Sequence, residues 1–400
     1  MDVIRQPLSE SLFRVYHKKS VRWGTSGHSI RLDLPVDVFS TFDVDTGTRR
    51  LIRRIVSAKP RWNKVLDLGC GYGPICSFLV AAGLAEKADA IDRDALAAAF
   101  ADHNARANGL TDVIARGALA YEDVGAGRYD AIVTNLPAKA GRAVHRLMLL
   151  AADKCLRGAG EVWAVVVEPL QEQIDEILAI DAVEIRQKNL DKGHVIYNYA
   201  FTSRPPKPAA SYLRREGRFR WRGRDYSLHA LHGLREFDGR SWATDLILDA
   251  FADAAGARPP GSILVSNPGQ GHLPVLAGRL APSVGTMEIV CRDLLALKAT
   301  EANLAVNGYD GCLRLVHTAE PCLPDAPDRP DIVLAVLREK EGLDVNLEKL
   351  ARLADCHGGG VVIAGCRTTS GLRLVDRLRK RGLRASLRRK KKGYCAFCLG

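Results

Sequence analysis

Glycines at alternate positions form the most informative motif of the chain. Residues 67–73 read Asp-Leu-Gly-Cys-Gly-Tyr-Gly, directly after an apolar strand pattern and before a helical one. Alternate glycines permit a tight strand-to-helix turn whose backbone comes close to a ligand at the carboxyl edge of a parallel sheet. Asp67, Gly69, Gly71 and Gly73 are therefore candidate ligand-binding residues. A purely structural turn or a dinucleotide site would have a similar glycine pattern.

A carboxylate ends the next predicted strand. The apolar run 88–91 leads into Asp92, the usual position of an acid that accepts hydrogen bonds from the two hydroxyls of a ribose. Asp92 therefore predicts a ligand that carries a nucleoside. The same residue is also placed to cap the helix that begins near Asp94, and this alternative stays open.

A polar loop with a proline follows a later strand, since residues 135–141 read Asn-Leu-Pro-Ala-Lys-Ala-Gly. If the substrate is an exocyclic amine, the side-chain carbonyl of Asn135 and the backbone carbonyl of Leu136 can each accept one of its N–H groups. These contacts would direct the nitrogen lone pair toward an electrophile and stabilise the developing charge. Pro137 fixes φ in this loop. The three residues form the predicted catalytic group, and a turn-forming asparagine is the alternative for Asn135.

The segment 39–48, upstream of the glycine motif, contains Asp45, Gly47 and Thr48. These residues predict the start of a helix whose backbone N–H groups receive a ligand carboxylate. An ordinary N-terminal cap is the competing explanation for Thr48.

The pattern around these motifs occurs twice in the chain. Trp23 precedes Leu66 by the same spacing with which Trp221 precedes Leu264, and the Asn-x-x-x-Asn-Gly pattern of residues 104–109 recurs about 200 residues later. Each copy alternates short β-branched runs with longer helical patterns. This alternation predicts the α/β class, with a mostly parallel sheet and helices on both faces of each copy.

The predicted division follows from this duplication. Residues 1–203 form the first domain, residues 204–211 a linker, and residues 212–400 the second domain. The linker contains Arg-Pro-Pro-Lys-Pro, which continues neither a helix nor the interior of a sheet.

The first copy resembles class I S-adenosylmethionine-dependent methyltransferases, whose D-x-G-x-G-x-G turn holds the amino-acid end of the cofactor. Residues 135–141 are similar to the Asn-Pro-Pro-aromatic loop of amino-group methyltransferases. The segment 39–48 looks like the V-F-S…D-x-G-[ST] stretch of the methyltransferase small domain family, which includes tandemly duplicated ribosomal-RNA guanine N2-methyltransferases. The resemblance implies two Rossmann-like domains, each with a seven-stranded sheet, and S-adenosylmethionine as cofactor. It also implies that the substrate is an exocyclic base amine in ribosomal or other structured RNA, with guanine N2 favoured.

The second copy lacks the residues that carry this chemistry. Residues 265–271 read Val-Ser-Asn-Pro-Gly-Gln-Gly, without the leading acid or the first glycine. Cys291 stands where Asp92 stands, and Val-Leu-Arg replaces Asn-Leu-Pro at residues 336–338. We therefore expect the second domain to be non-catalytic and to bind no cofactor. In the related enzymes the degenerate copy is the N-terminal half instead.

The first copy also departs from the family at two positions. Ala118 stands where many relatives carry an acid near the adenine amine, which implies that backbone groups contact the adenine instead. Ala138 replaces the aromatic residue that stacks on a flat base in the Asn-Pro-Pro-aromatic loop. The change at Ala138 favours an alternative in which the acceptor is a protein side-chain amide or a small molecule.

The charge of the chain favours a polyanionic partner. Its 400 residues include 58 Lys and Arg against 46 Asp and Glu, a formal net charge of +12. Basic residues alternate with aromatic ones in the stretch 212–224, which predicts contacts to phosphates and bases. A solvated basic surface is the alternative. The predicted RNA-binding residues are Arg214, Arg215, Arg218, Arg220, Arg222 and Lys139.

Several protein classes are not favoured by the composition. There is no apolar leader pattern and no apolar run of membrane-spanning length, so a cytoplasmic protein without a membrane partner is expected. Cys395 and Cys398 have no second pair to complete a zinc site, and no metal is predicted. No particular oligomeric state is predicted. A non-catalytic RNA-binding or assembly protein is the third functional alternative.

Overall fold

The computed structural model describes residues 3–206, 212–323, 329–356 and 360–400. These residues form two compact units. The first unit is His17–Tyr212, and the second unit combines residues 3–16 with Leu213–Gly400. Both are α/β, as the sequence predicts. Of the predicted linker 204–211, residues 207–211 lie outside the described residues.

The first unit begins with a β-hairpin and continues as an alternating α/β domain. Its strands are β2 (His17–Thr25), β3 (His28–Pro35), β4 (Trp62–Leu68), β5 (Ala85–Asp92), β6 (Val113–Gly117), β7 (Tyr129–Asn135), β8 (Leu156–Val167), β9 (Val183–Asp191) and β10 (His194–Phe201). Its helices are α2 (Thr46–Ala58), α3 (Pro74–Ala81), α4 (Ala95–Ala107), α5 (Arg142–Leu150) and α6 (Gln171–Leu178), with 3-10 turns at Ala151–Lys154 and Glu168–Leu170. The hairpin strands β2 and β3 pair with each other, and the remaining seven strands form one sheet in the order β6-β5-β4-β7-β8-β10-β9.

The second unit repeats this arrangement. Its strands are β1 (Val3–Arg5), β11 (Leu213–Trp221), β12 (Arg224–Leu231), β13 (Ser262–Ser266), β14 (Thr286–Cys291), β15 (Cys312–His317), β16 (Ile332–Val336), β17 (Val361–Arg367), β18 (Ala385–Lys391) and β19 (Tyr394–Leu399). Its helices are α1 (Glu10–Tyr16), α7 (Trp242–Ala257), α8 (His272–Leu280), α9 (Leu294–Val306), α10 (Gly342–Cys356) and α11 (Thr368–Lys380), with a 3-10 turn at Glu339–Glu341. The sheet order is β1-β15-β14-β13-β16-β17-β19-β18.

The N-terminal residues lie in a different unit from the one that the sequence predicted. The division at 1–203 assigned them to the first domain, but β1 pairs in parallel with β15 of the second unit and α1 packs against α10. The second sheet therefore has eight strands where seven were expected. The pairing gives hydrogen-bond partners to a strand that would otherwise form an open edge.

The repeated asparagines have the same structural role in both units. Asn104 on α4 accepts a hydrogen bond from the backbone N–H of Asp33 at 2.7 Å and donates to the Asp33 carbonyl at 3.0 Å. Asn303 on α9 makes the equivalent pair with His229, at 2.7 and 3.2 Å. Each buried amide thus satisfies a strand residue of the hairpin and joins the hairpin to a helix.

The central strands of the first unit position its chemistry. The backbone of β4 lies between β5 and β7, and all three run parallel. Strands covered on both faces are almost continuously apolar, and Val65, Leu66, Ile132 and Val133 are fully buried. The carboxyl ends of β4, β5 and β7 therefore meet at one edge, where a ligand site is expected in an open α/β sheet.

Cysteines contribute to the core rather than to a metal centre. Cys395 and Cys398 are buried in β19, and Cys322 and Cys356 form a disulfide. No group of three or more His, Cys, Asp or Glu side chains suited to a metal occurs within the described ranges. In the same part of the chain, no helix has both the length and the apolar character needed to cross a membrane.

Candidate active site

The glycine turn joins β4 to α3 and leaves open space in front of two of its glycines. Gly69 and Gly71 have φ of 75° and 55°, in the left-handed region where L side chains are strained. A β-carbon added to either residue would have no atom within 4 Å. At Gly73 it would lie 3.1 Å from Ala101 on α4. The outer sides of Gly69 and Gly71 are therefore open, while Gly73 allows α3 and α4 to pack closely.

Asp67 lies behind this turn, with only 1% of its surface exposed. Its Oδ2 accepts a hydrogen bond from the backbone N–H of Cys76 at 3.0 Å, which fixes the first turn of α3. Its Oδ1 is buried without a hydrogen-bond partner in the described chain. Burial raises the pKa of Asp67 to about 7. Asp67 thus supports the turn from behind, with almost no exposed surface of its own.

Asp92 is fixed at the end of β5 by two backbone donors. Its Oδ2 accepts from Gly71 N–H at 3.0 Å and its Oδ1 accepts from Asp94 N–H at 2.9 Å. Burial raises the pKa of Asp92 to about 6, and the negative charge of Asp94 adds to the effect. The helix cap is Asp94, which accepts from Leu96 N–H at 3.0 Å. The capping alternative therefore does not account for Asp92.

A backbone hydrogen bond joins Ala118 to Asp92. Its N–H donates to the carbonyl of Asp92 at 2.8 Å, and the residue is buried. The amide N–H is therefore already paired, so a backbone contact from Ala118 to an adenine has to use the carbonyl.

The amide of Asn135 is oriented by two acceptors. Its Nδ2 donates to Asp45 Oδ2 at 2.9 Å and to Thr48 Oγ1 at 3.0 Å. A carboxylate can only accept hydrogen bonds, so the NH₂ group must face Asp45. Asn135 Oδ1 accepts no hydrogen bond within the described ranges and remains available to a substrate donor. Asn135 is thus a positioned acceptor rather than a turn-forming residue alone.

Helix α2 starts at Thr46, in the segment where the sequence predicts a helix start. Asp45 is the N-cap, since its Oδ2 accepts from the N–H of Thr48 at 3.2 Å. The N–H of Thr48 is therefore not free to receive a ligand carboxylate. At Gly47, an added β-carbon would lie 2.9 Å from the ring of His194. Asp45 and Thr48 therefore orient Asn135. Gly47 leaves room for the ring of His194.

Two residues that no motif identified position the catalytic loop. His145 Nε2 donates to the Pro137 carbonyl at 2.9 Å, and Gln173 Nε2 donates to His145 Nδ1 at 2.7 Å. Burial lowers the pKa of His145, which keeps the ring neutral in the tautomer that this relay requires. Leu136 N–H donates to the Val165 carbonyl at 2.9 Å. The Leu136 carbonyl has no donor in the described parts of the chain.

The predicted RNA-binding arginines lie on β11 or in the turn that follows it, and most are paired with acids. The pairs are Arg214 with Asp238 at 3.6 Å, Arg215 with Asp238 at 3.4 Å, Arg220 with Asp225 at 2.7 Å, and Arg222 with Asp249 at 2.6 Å. Arg218 and Lys139 are exposed and have no ion pair within the described ranges. Four of the five arginines therefore lie beside an acid in exposed ion pairs, and Arg218 does not.

The equivalent turn of the second unit is occupied by the protein itself. Asn267, with φ of 58°, stands where Gly69 stands in the first unit. A β-carbon added to Gly269 would lie 3.4 Å from a carboxylate oxygen of Glu236. Glu236 is held in place by the Ser241 N–H and the Thr244 hydroxyl, both at 2.7 Å.

A buried ion cluster joins the strand ends that flank this second turn. Arg292, directly after β14, donates to Glu341 Oε1 at 3.0 Å, and Lys349 contacts Glu341 Oε2 at 2.9 Å. Tyr16 donates to the same carboxylate at 3.1 Å. Burial alone would raise the pKa of Glu341, but the charges of Lys349, Arg292 and Arg338 hold it below its ordinary value.

Known proteins resemble the chain most clearly in its first unit. Residues 30–198 match the family described as methyltransferase small domain. The uncharacterized protein YbxB of Bacillus subtilis strain 168 is 30% identical over 153 residues, which is 36% of this chain and 76% of that protein. Ribosomal RNA small subunit methyltransferase C of Shewanella halifaxensis is 36% identical over 109 residues, or 27% of this chain. That match spans 30% of the relative's length.

A solved structure shares the two-unit fold. It is a T. thermophilus 16S rRNA N2 guanine methyltransferase in complex with S-adenosylmethionine and guanosine, with a TM-score of 0.70. The alignment covers 97% of this chain and 99% of that one at 20% identity. Because the family match includes the glycine turn, Asp92 and Asn135, and because three quarters of YbxB is covered at 30% identity, the chain belongs to the methyltransferase small domain family of S-adenosylmethionine-dependent methyltransferases.

Proposed function

We propose that the first unit is the catalytic domain and that it N-methylates an exocyclic base amine, with guanine N2 favoured, in ribosomal or other structured RNA. The orientation of Asn135 carries the proposal. Its NH₂ group is engaged by Asp45 and Thr48, so its carbonyl oxygen is presented as an acceptor. The Leu136 carbonyl is the second acceptor, and an amine has two N–H groups to offer.

These two oxygens would act on the amine by polarising it. Hydrogen bonds to both N–H groups hold the nitrogen lone pair in one direction and stabilise positive charge as the new bond forms. The His145 contact fixes the Pro137 carbonyl and thereby limits movement of the loop. No strong base is needed, because the alkylated amine becomes acidic enough to lose a proton to water.

The residues around the glycine turn fit the cofactor. When bound, S-adenosylmethionine supplies an activated methyl group. Asp92 would accept hydrogen bonds from the ribose hydroxyls, and Gly69 and Gly71 would lie against the cofactor because their outer sides are open. Asp67 would support the binding of the amino-acid end indirectly, because it fixes the first turn of α3 from behind the glycine turn.

RNA as substrate is supported by three independent features. The relative from Shewanella is a ribosomal RNA small subunit methyltransferase, and the T. thermophilus protein carries guanosine. The net charge of +12 favours a polyanion. Within this proposal the protein acts in the cytoplasm, and the arginines of β11 and of the turn after it, together with Lys139, contact phosphates.

The second unit has a non-catalytic role in this proposal. Cys291 cannot accept ribose hydroxyls as a carboxylate does, and Glu236 lies against the outer side of Gly269. Leu337, which takes the place of Leu136, keeps only the backbone bond to the neighbouring strand, at 3.0 Å from the Gly365 carbonyl. We infer that this unit supports the first one or holds RNA.

The rival acceptor is a protein side-chain amide or a small molecule, and the observation that favours it is the absence of an aromatic side chain in residues 136–141. A purely non-catalytic RNA-binding role is opposed by the positioned Asn135 and by the open turn. The acceptor class therefore has to be determined by where the methyl group goes.

The test is transfer of a tritiated methyl group from S-adenosylmethionine by the full chain. The acceptors are an unmodified small-subunit ribosomal RNA transcript, assembled subunits, and a protein extract freed of RNA. We expect N2-methylguanosine in nuclease digests of the RNA, and loss of that product with Asn135→Ala. Label in protein amides only, or in no RNA at all, would refute the RNA assignment.

A further inference from the structure

Two phenylalanines stand out on the surface of the first unit. Phe39 and Phe42 are 69% and 70% exposed, whereas no other exposed large hydrophobic residue within the described ranges exceeds 60%. Exposing two aromatic rings to water is unfavourable, and the free-energy cost grows with the apolar area that is exposed. Paired exposed rings in one short segment are typical of a surface that binds another molecule.

The segment that carries these rings is attached directly after Phe42, at Asp43 and Val44. Tyr72, within the glycine turn, donates its hydroxyl hydrogen to the Asp43 carbonyl at 3.1 Å, and Val44 is buried. The Asp43 carboxylate also pairs with Arg49 on α2. The rings therefore project from backbone that is fixed to the glycine turn and to α2.

The segment leads directly into the catalytic asparagine. Asp45, which accepts from Asn135 Nδ2 at 2.9 Å, follows Phe42 by three residues. Consecutive Cα atoms are about 3.8 Å apart, so the Cα atoms of Phe42 and Asp45 lie within about 11 Å of each other. That span is comparable with the dimensions of one nucleotide, so a base at Asn135 lies within reach of these rings.

The chemistry around the rings suits a nucleotide. Lys18 Nζ lies 3.3 Å from the centre of the Phe42 ring and donates to Thr41 Oγ1 at 3.2 Å. Lys18, Lys19 and Lys139 are exposed and have no carboxylate at ion-pair distance within the described ranges. Lys18 thus places a cation next to an aromatic ring of the first unit, the combination that binds phosphate and base together.

The second unit shows what happens to such a ring without a binding role. Phe237 lies in the segment that precedes α7, and its ring is covered by the guanidinium of Arg214 at 3.8 Å. Arg215 also donates to the Phe237 carbonyl at 3.2 Å. The phenylalanine before α7 is thus covered by arginine side chains, whereas the two phenylalanines before α2 are largely exposed.

We propose that Phe39 and Phe42 form the aromatic surface on which RNA bases stack at the methylation site, with Lys18 and Lys19 at the adjoining phosphates. This surface replaces the stacking side chain that Ala138 lacks. The inference rests on the proposed function, because it takes the acceptor to be a nucleobase. Phe42 is the ring closer to Asn135 along the chain, and Phe39 extends the surface to a neighbouring nucleotide.

The experiment compares Phe39→Ala, Phe42→Ala and the double variant with the wild-type full chain. Two readouts are used: kcat/KM for methylation of the unmodified ribosomal RNA transcript, and quenching of 2-aminopurine in a single-stranded RNA, which reports stacking directly. Leu190→Ala is the matched control, because Leu190 is an equally large exposed residue of the same unit, 60% exposed. Phe237→Ala is the control in the second unit.

We expect the double variant to lose about tenfold or more in kcat/KM and most of the quenching, consistent with the usual contribution of base stacking. Affinity for S-adenosylmethionine should stay unchanged, and Phe42→Trp should restore both readouts. If the wild type methylates RNA and the double variant does so equally well, the stacking surface is refuted while the proposed function stands. If the wild type methylates only protein or a small molecule, the proposed function fails and this inference with it.

Discussion

The glycine turn of the first unit and its counterpart in the second unit have the same backbone role and opposite surroundings. Gly69 N–H donates to the Ile91 carbonyl at 2.8 Å, and Asn267 N–H donates to the Val290 carbonyl at 3.1 Å. In front of Gly71 there is open space, whereas the Glu236 carboxylate lies against the outer side of Gly269. The second unit therefore keeps the backbone of the turn, but the Glu236 side chain lies where the first unit has open space.

The carboxylates near the two turns also have different surroundings. Asp92 is a single carboxylate that uses backbone donors and keeps capacity for a ligand. At the equivalent edge of the second unit, Glu341 is saturated by Arg292, Lys349 and Tyr16. At this edge of the sheet the second unit therefore has a buried ion cluster, where the first unit has a carboxylate that is bonded to backbone donors.

The largest expected effect concerns this cluster. Glu341→Gln should destabilise the second unit by about 3–5 kcal/mol, because two buried cations lose their compensating charge. Hydrogen exchange of the amides in β13, β14 and β16 would measure the loss. The control is Glu339→Gln, whose exposed ion pair with Arg367 should contribute no more than about 1 kcal/mol. Equal protection in both variants would show that the cluster does not hold the unit together.

Acid should act on the second unit in the same direction. Because the folded pKa of Glu341 lies below its ordinary value, its stabilising contribution is complete above that ordinary value. The contribution is lost as the pH falls through the lower folded pKa.

The second prediction concerns catalysis in the first unit. Asn135→Ala should lower kcat by about 10²–10³-fold, because it removes one of two acceptors that stabilise developing charge. Affinity for S-adenosylmethionine should remain, since the cofactor residues are unchanged. Leu337→Ala, at the equivalent loop of the second unit, should leave kcat as it is. A matching loss in Leu337→Ala would contradict the division between a catalytic and a non-catalytic unit.

The third prediction separates Asp92 from Cys291. Asp92→Ala should weaken S-adenosylmethionine binding by about 100-fold or more, since hydrogen bonds to a charged group contribute about 1.5–3 kcal/mol each. Cys291→Ala should have no effect on affinity. Calorimetric titration of both variants measures the difference, with thermal unfolding to confirm that each is folded. Equal affinities would remove Asp92 from the cofactor site.

A smaller effect follows from the raised pKa of Asp92. The ionised carboxylate accepts ribose hydroxyls, and its pKa in the folded protein is about 6. Affinity for S-adenosylmethionine should therefore fall as the pH is lowered through about 6, by up to about tenfold per pH unit below it. Asp92→Asn should bind weakly with a flat profile between pH 5 and about 7. Retention of the wild-type pH step in that variant would assign the titration to another group, with Asp67 the nearest candidate.

The sequence predicted the elements and the edge of the sheet because these depend on local patterns. Glycine spacing, strand-ending acids and the repeat predicted the turn, Asp92 and Asn135. The pairing of the basic side chains could not be predicted, since Arg222 and Asp249 lie on separate elements. The relay from Gln173 to His145 joins residues 28 positions apart, and no motif marks it.

The N-terminal segment shows the same limit for domain boundaries. Strand β1 has only three residues, and a run so short carries no periodicity that would assign it to the second unit. Its position depends on the open edge of β15, a feature that exists only once the second sheet has formed.

Calorimetric titration of the full chain with S-adenosylmethionine tests the central claim most directly, because it counts sites. The two turns predict a stoichiometry of one cofactor per chain, abolished or strongly weakened by Asp92→Ala and unaffected by Cys291→Ala. Two sites per chain, or one site that survives Asp92→Ala, would contradict the assignment of the cofactor to the first unit alone.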